Sequence, residues 1–185
     1  MNRPALRFEA VLRQLDEIFH EASVATEVKD QRVLLSYLVF KIHDQWNFRS
    51  RQIVLIGYGK SEKRMIKFLR SHWSPRKIMD AGWEPDWHIP TNTIRAGRLL
   101  NIPKLGQLQG ALGAVTTVDD IRWTRNAIVH NIPAAFNKYH AMTLSKYLVF
   151  KTEPALLPLE TNPQTGHSIY EDWCSDLLSA LRIAL

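Results

Sequence analysis

The chain has 185 residues, of which 45% are hydrophobic and 23% are charged, and these values predict one globular domain over residues 1–185. No apolar run reaches the roughly 18 residues of a membrane-spanning helix, and the first ten residues lack the apolar core of a signal peptide. The single cysteine, Cys174, excludes an internal disulfide. We therefore expect a cytoplasmic protein that does not enter a membrane.

The positive charge of the chain is concentrated in one segment. The formal net charge is +6, and the segment from Lys60 to Lys77 holds seven basic residues against Glu62 alone. Basic residues three and four apart share one side of a helix and can follow a phosphate backbone, although most such faces are simply solvated. We predict that five side chains of this segment contact a polyanion such as RNA: Lys60, Lys63, Arg64, Lys67 and Arg70.

The spacing of apolar residues predicts an all-α fold. Repeats at three and four residues predict helices over 4–22, 30–46, 60–73, 91–101, 104–112, 117–132, 134–150 and 168–184. The pattern leaves open whether the second helix continues through residues 47–59. An irregular insertion rich in Trp and Pro is expected over 73–90, and a loop over 152–167. These elements predict a helical bundle of five or more helices.

Two helix starts and one helix end have recognisable sequence signals. Thr117 with Asp120, and Ser168 with Glu171, both resemble capping boxes, in which the first side chain bonds a backbone N–H three residues later. Pro133 disfavours helical geometry in the preceding residue. The segment "RNAIVHN" (125–131) is therefore predicted to occupy the last turns of a helix.

The tryptophans of the insertion allow two interpretations. Trp73, Trp83 and Trp87 can stack on unpaired bases. They can also pin a proline-rich segment to the core, which is the more common role.

Several familiar chemistries lack their required residues. "GKS" at Gly59–Ser61 resembles the end of a phosphate-binding P-loop, but position 54, where that loop needs a glycine, is Val54. No H-x-x-x-H or paired-cysteine motif predicts a metal site, and no local signature surrounds Cys174 or a serine. We expect no metal and no cofactor.

Arg125 interrupts an apolar pattern. Val118, Ile121, Ile128 and Ile132 repeat with Arg125 at a spacing of three and four residues, which predicts a core-facing guanidinium. A buried guanidinium needs a carboxylate, an interface or a bound anion. His130 follows five residues later, about 140° around a regular helix. The two side chains therefore converge only if the helix end distorts or a second chain contributes, and the plain alternative is a structural Arg followed by a helix-ending His.

The segment "RNAIVHN" resembles the signature of HEPN domains, in which an Arg, commonly followed by a polar residue, precedes a His by four to six residues. Arg125, Asn126 and His130 match that signature residue by residue. The position of the segment, late in an all-α chain and before a final amphipathic helix, is similar to the family's arrangement. Ile132 is a departure, because family toxins controlled by adenylylation carry a Tyr at this position.

The resemblance implies a metal-independent endoribonuclease that acts as a homodimer, often as a toxin with a cognate antitoxin or as a phage-defence effector. His130 would transfer protons at the ribose 2′-OH or the leaving 5′-oxygen. Arg125 would hold the scissile phosphate, and Asn126 would support it. The product would be a 2′,3′-cyclic phosphate. The alternative is a non-catalytic HEPN-like module that binds RNA, a nucleotide or a protein.

Overall fold

Helices account for most of the computed structural model, which describes residues 3–73, 83–130, 132–150 and 152–184. The described residues contain no β-strand, which confirms the all-α class. The described residues form eight α-helices: α1 (Arg3–Val24), α2 (Val28–Tyr58), α3 (Glu62–Trp73), α4 (Pro90–Leu99), α5 (Leu105–Gly113), α6 (Val118–Val129), α7 (Pro133–Met142) and α8 (Ile169–Ile183). A π-helical turn (Thr143–Tyr147) and a 3₁₀ helix (Pro154–Leu159) lie between α7 and α8.

Helix α2 is the central element of the fold. It spans 31 residues and continues through the segment that the sequence pattern left open. It packs against α1, α3, α4, α6, α8 and the 3₁₀ helix. Helix α2 ends at Gly59, whose φ of 67° lies in the left-handed region and whose N–H bonds the carbonyls of Leu55 and Ile56. A glycine adopts this helix-ending conformation without the steric cost that other residues incur.

Helix α8 closes the core as its sequence pattern predicts. Ser168 and Glu171 form a complete capping box: Glu171 N donates to Ser168 Oγ over 3.2 Å, and Ser168 N donates to the Glu171 carboxylate over 2.8 Å. The apolar stripe of this amphipathic helix is buried throughout, and consists of Tyr170, Trp173, Leu177, Leu181 and Ala184. Local signals were sufficient for this helix.

The start of α6 is capped differently from the sequence prediction. Thr117 is the N-cap residue, but its side chain caps no backbone N–H within the helix. The Asp176 carboxylate of α8 accepts hydrogen bonds from Thr116 N, Thr117 N and Thr117 Oγ1, at 3.0, 3.1 and 2.9 Å. The predicted capping box was therefore wrong, because a carboxylate from a distant helix satisfies these N–H groups and compensates the helix dipole.

Asp120, the other residue of the predicted box, anchors α6 to the core. The residue is 3% exposed. Its carboxylate accepts a 2.7 Å hydrogen bond from Tyr147 Oη and pairs with Lys146 Nζ. Trp173 Nε1 donates to Tyr147 Oη over 3.1 Å. Burial raises the pKa of Asp120, and Lys146 opposes that shift. These bonds fix α6 relative to the π-helical turn and α8.

Two further boundaries differ from prediction. The helix expected over 134–150 stays α-helical only to Met142 and then widens into the π-helical turn, which ends at Leu148 with a φ of 56°. The loop expected over 152–167 contains the 3₁₀ helix. Residues 83–89 of the predicted insertion are irregular, whereas residues 74–82, with Arg76 and Lys77, lie outside the described residues. Among the described helices, none has an apolar stretch of the length that spans a bilayer.

Candidate active site

Asn126 connects the other two residues of the motif. Its side-chain oxygen Oδ1 accepts a 3.1 Å hydrogen bond from Arg125 Nη1, and its backbone oxygen accepts a 2.8 Å hydrogen bond from His130 N. Helix α6 ends at Val129, and His130 has extended backbone angles, with φ −107° and ψ 102°. The structure therefore places Arg125, Asn126 and His130 together at the end of α6; Asn131 lies outside the described residues.

Arg125 lies beside the buried stripe of α6, not at its centre. The buried residues of this helix are Val118, Asp120, Ile121, Thr124 and Ala127. Arg125 and Ile128 are half-buried, and Ile132 is exposed, so the predicted core-facing seam was wrong in its second half. The apolar pattern failed because two polar residues are buried with their hydrogen bonds satisfied, as when Thr124 Oγ1 donates to Asp120 O over 2.7 Å.

Arg125 has no acidic partner within residues 3–73, 83–130, 132–150 and 152–184. Among the described residues, its guanidinium forms no salt bridge, and Asn126 is its one side-chain partner. A half-buried guanidinium that bonds only a neutral amide retains free donors and its full positive charge. The geometry therefore leaves Arg125 available to an anion.

His130 is exposed, and none of the residues that the structure describes orients its ring. Its ring forms no hydrogen bond with any described residue, and none links it to the Arg125 guanidinium. Because the helix ends one residue earlier, the 140° separation expected for a continuous helix does not apply to this side chain. Within one chain, the motif presents a cationic donor and a solvent-facing imidazole.

Three basic residues near Arg125 were not identified from the sequence. The His43 ring of α2 lies 4.7 Å from the His88 ring, centroid to centroid, and Arg122 lies one turn before Arg125 on α6. Burial lowers the pKa of His43, and burial together with His43 lowers the pKa of His88 to about 4. Arg122 and Arg125 contribute to both shifts by repulsion.

Three acidic residues lie around His43, His88 and Arg122, and none of them neutralises the two histidine rings with a hydrogen bond. Asp44 Oδ1 lies 3.6 Å from His43 Nδ1, too far for a hydrogen bond, and its side chain is 76% exposed. Asp119 pairs with Arg122 at 2.8 Å, and Asp86 raises the pKa of His88 against the larger lowering effects. Both histidines are therefore neutral at pH 7. No sequence motif pointed to them, because they are 45 positions apart and meet only through packing.

Four of the five predicted phosphate contacts are available on α3 and just before it. Lys60, Lys63, Arg64 and Lys67 are exposed. Arg70 is half-buried and donates from Nε to the carbonyl of Trp83 over 3.1 Å, which gives it a structural task. The exposed cations form a basic face on α3 and just before it. Arg70 contacts the segment that precedes α4.

Two concave surfaces border this face. One, of about 860 Å³, is lined by acidic and basic side chains of α3 with Glu84 of the insertion. The other, of about 300 Å³, places two aromatic side chains, Tyr58 and Phe68, beside three cations, Lys60, Arg64 and Lys67. Lys67 lines both surfaces. Aromatic rings among cations suit single-stranded nucleic acid, because bases stack on the rings while the cations contact phosphates.

The tryptophans of the insertion serve the core. Trp87 is 2% exposed, and its Nε1 donates to Glu84 over 3.0 Å. Trp73 and Trp83 pack on each other with ring centroids 5.5 Å apart, and the Arg95 guanidinium lies 4.4 Å from the Trp73 ring centroid. The core-pinning interpretation is confirmed for Trp87, and base stacking on these three rings remains a prediction.

Other reactive groups are absent or inert in the described part of the chain. No cluster of three or more His, Cys, Asp or Glu side chains there has the arrangement of a metal site. Cys174 is buried, and burial raises the pKa of its thiol to about 12. A thiol with that pKa is not a nucleophile at neutral pH.

Comparison with known proteins adds no family assignment. No protein-family model matches the sequence. No curated protein and no solved structure is significantly similar to it. The candidate site therefore consists of three groups at the end of α6. They are a guanidinium without an acidic partner among the described residues, an amide that accepts its hydrogen bond, and an exposed imidazole.

Proposed function

We propose that the protein is a metal-independent endoribonuclease of the HEPN type. The observation that carries this proposal is the Arg125–Asn126–His130 group at one helix end, which combines an exposed imidazole with a guanidinium that has no acidic partner among the described residues. The guanidinium provides charge stabilisation for a phosphate, and the imidazole transfers protons. RNA is the polymer whose own 2′-OH supplies the nucleophile.

The reaction needs only side chains of these types. A base removes the 2′-OH proton, the 2′-oxygen forms a bond to phosphorus, and the bond from phosphorus to the 5′-oxygen breaks as that oxygen takes up a proton. The products are a 2′,3′-cyclic phosphate and a 5′-hydroxyl end. His130 performs the proton transfers, while Arg125 holds the phosphate oxygens and stabilises the charge that develops on them. Asn126 keeps the guanidinium in position.

A second copy of the chain would complete the site. One His130 cannot be base and acid at the same instant, and two motifs facing each other provide two imidazoles and two guanidiniums. Five large apolar side chains are exposed in the segment that begins at the motif: Val129, Ile132, Leu144, Leu148 and Phe150. Exposed apolar residues of this size suit a subunit contact.

The basic face of α3 binds the RNA backbone in this proposal. Lys60, Lys63, Arg64 and Lys67 supply phosphate contacts that are independent of base sequence. A cytoplasmic toxin or defence effector needs this broad affinity, together with a cognate antitoxin that restrains it. The exposed Ile132 in place of the family's Tyr excludes adenylylation at that position as the means of restraint.

A non-catalytic RNA-binding module is the second candidate. It is favoured by one observation: the His130 ring has no hydrogen-bond partner among the described residues, whereas a general base is usually oriented by one. The basic face and the free Arg125 serve binding equally well. The two candidates therefore differ only in whether RNA is cut.

Incubation of RNA with purified protein in excess EDTA separates the candidates. The nuclease proposal predicts that wild type and His20→Ala cut the RNA, because His20 is an exposed histidine of α1 remote from the motif in sequence. It predicts that His130→Ala and Arg125→Ala lose at least about 100-fold in rate. Intact RNA with wild type, or equal cleavage by all variants, would favour the binding module.

A further inference from the structure

Arg49 is a buried cation without a counter-ion in the described part of the chain. The residue is 6% exposed and lies on α2. Its Nη1 donates to Gln52 Oε1 over 2.8 Å and its Nη2 donates to Gln45 Oε1 over 3.2 Å. Its Nε is buried and has no hydrogen-bond partner. Among the described residues, no carboxylate pairs with this guanidinium.

The surroundings of Arg49 add positive charge instead of removing it. Burial lowers the pKa of Arg49, and repulsion from Arg7 of α1 lowers it further. Helices α1 and α2 are joined by only residues 25–27 and pack along each other, so they form an antiparallel hairpin. The start of α1 therefore lies beside the later half of α2. Its first turn contains no acidic residue to offset the positive end of the helix dipole.

The side chains that bond or repel Arg49 are two amides and one cation, Gln45, Gln52 and Arg7. The two glutamines use their oxygens on Arg49, and their NH₂ groups are further donors. Arg7 is exposed and Gln45 and Gln52 are half-buried, so the region opens to solvent at its rim. A buried, uncompensated guanidinium is costly in the free protein, and an anion that reaches it removes that cost.

We propose that Arg49, Arg7, Gln45 and Gln52, together with the start of α1, form a binding site for a phosphate group. A phosphate matches the site because its oxygens accept several hydrogen bonds at once and a guanidinium binds two of them side by side. The site is separate from the Arg125–His130 motif, and it does not depend on whether the protein cuts RNA. The ligand is either a free phosphate monoester or a phosphodiester of a bound nucleic acid, and the two share the same recognition chemistry.

Two substitutions test the site with opposite expected effects on the free protein. Gln52→Glu keeps the side-chain shape and places a carboxylate 2.8 Å from Arg49 Nη1. We expect it to raise the melting temperature by at least about 2 °C without phosphate, because it supplies the missing counter-ion. Arg49→Met removes the buried charge, and we expect the variant to be no less stable than wild type under the same conditions. A stabilised Gln52→Glu variant provides a folded test protein even if Arg49→Met does not fold.

The binding measurement uses inorganic phosphate at constant ionic strength. Saturating phosphate should raise the melting temperature of wild type by about 5 °C. The exposed Arg98→Met variant, which loses a positive charge on α4, should respond like wild type. Gln52→Glu and Arg49→Met should show no saturable response. A wild type that does not respond, or variants that respond as wild type does, would overturn the proposal.

An uncleavable 2′-O-methyl RNA oligonucleotide identifies the source of the phosphate. If the oligonucleotide competes with inorganic phosphate, and Arg49→Met weakens its binding, the site belongs to a nucleic-acid surface. If inorganic phosphate binds and the oligonucleotide does not compete, the site takes a small phosphate ligand. Both results support the site, and neither depends on cleavage, so the outcome is distinct from that of the ribonuclease test.

Discussion

Arg125 donates from Nη1 to Asn126 Oδ1 over 3.1 Å, and this is the hydrogen bond that defines the candidate site. The backbone carbonyl of Asn126 also accepts a hydrogen bond from His130 N, so Asn126 bonds both of the other motif residues. The side chain of Asn126 is neutral, which holds the guanidinium in place without cancelling its charge. The choice of amide over carboxylate is therefore the chemical feature that keeps Arg125 able to bind a phosphate.

Asn126→Asp tests that choice. The new carboxylate would pair with Arg125 and compete with the RNA phosphate, so we expect kcat to fall by about 100-fold. Asn126→Ala removes the support but leaves the charge free, and we expect a loss of about tenfold with KM nearly unchanged. Single-turnover kinetics measure both. If the two variants were equally active, a neutral partner for Arg125 would have no catalytic importance.

Mixing two inactive variants tests whether two chains share one site. Arg125→Ala and His130→Ala should each be inactive alone, whereas a mixture that exchanges subunits should recover part of the wild-type rate. About half of the dimers are then mixed, and each mixed dimer combines one intact Arg125 with one intact His130. Sedimentation should show a dimer that Val129→Glu together with Leu144→Glu dissociates. A monomeric active enzyme, or a mixture that stays inactive, contradicts a composite cleft.

The basic face of α3 should determine the salt dependence of RNA binding. In an inactive His130→Ala background, Lys63→Gln with Lys67→Gln should weaken binding of every RNA sequence alike. The slope of log Kd against log salt should decrease by about 0.7 for each lost phosphate contact. The control is Lys29→Gln with Arg98→Gln, which removes the same charge from exposed positions on α2 and α4. An equal loss in both pairs would mean that net charge, and not the α3 face, controls affinity.

Folding stability should decrease as the pH falls from about 6.5 to about 4, because the folded protein lowers the pKa of His88 to about 4 while the unfolded chain has the ordinary value of 6.5. In this range the unfolded chain binds a proton that the folded protein does not. We expect His88→Gln to remove about 2 kcal/mol of the stability difference between pH 7 and pH 4.5. Urea unfolding at both pH values measures it, with His20→Gln as the control that should behave as wild type. Identical pH dependence in all three proteins would contradict this environment for His88.

Asp120→Asn should destabilise the protein far more than the same change one residue earlier. Asp120 is buried and bonds Lys146 and Tyr147, so its loss leaves Lys146 without its carboxylate partner and should cost about 3 kcal/mol. Asp119 is 53% exposed in its pair with Arg122, and Asp119→Asn should cost less than about 1 kcal/mol. Adding Lys146→Met to Asp120→Asn should restore part of the loss. Chemical denaturation of the four proteins decides, and equal costs for the two single changes would refute the anchoring role.

Local sequence signals predicted much of the fold. The capping box of Ser168 with Glu171 and the stripe of α8 involve residues three and four apart, so the sequence alone contains them. The start of α6 could not be predicted, because its cap is Asp176, 59 positions away from Thr117. Tertiary contacts of that kind follow from packing and leave no pattern in the chain.

The candidate site was predicted only in part, for the same reason. Pro133 predicted that Arg125, Asn126 and His130 lie at the end of a helix, and the structure agrees on that position. The apolar pattern did not predict that Arg125 is half-buried. The polar residues Asp120 and Thr124 belong to the buried side of α6, so this side differs from the one that the apolar residues alone indicate. The burial of Arg49 was not predicted either, although Arg49 interrupts the buried face of α2 between Trp46 and Ile53.

We propose that the protein cleaves RNA by attack of the 2′-OH without a metal. The decisive experiment uses a pair of labelled RNAs in excess EDTA, one all-ribose and one carrying a single 2′-deoxy nucleotide on the 5′ side of the mapped cleavage bond. We expect cleavage of the first RNA to a 2′,3′-cyclic phosphate and a 5′-hydroxyl end, and no cleavage at that bond in the second. Cleavage of both RNAs, or a product with a 5′-phosphate, would contradict it.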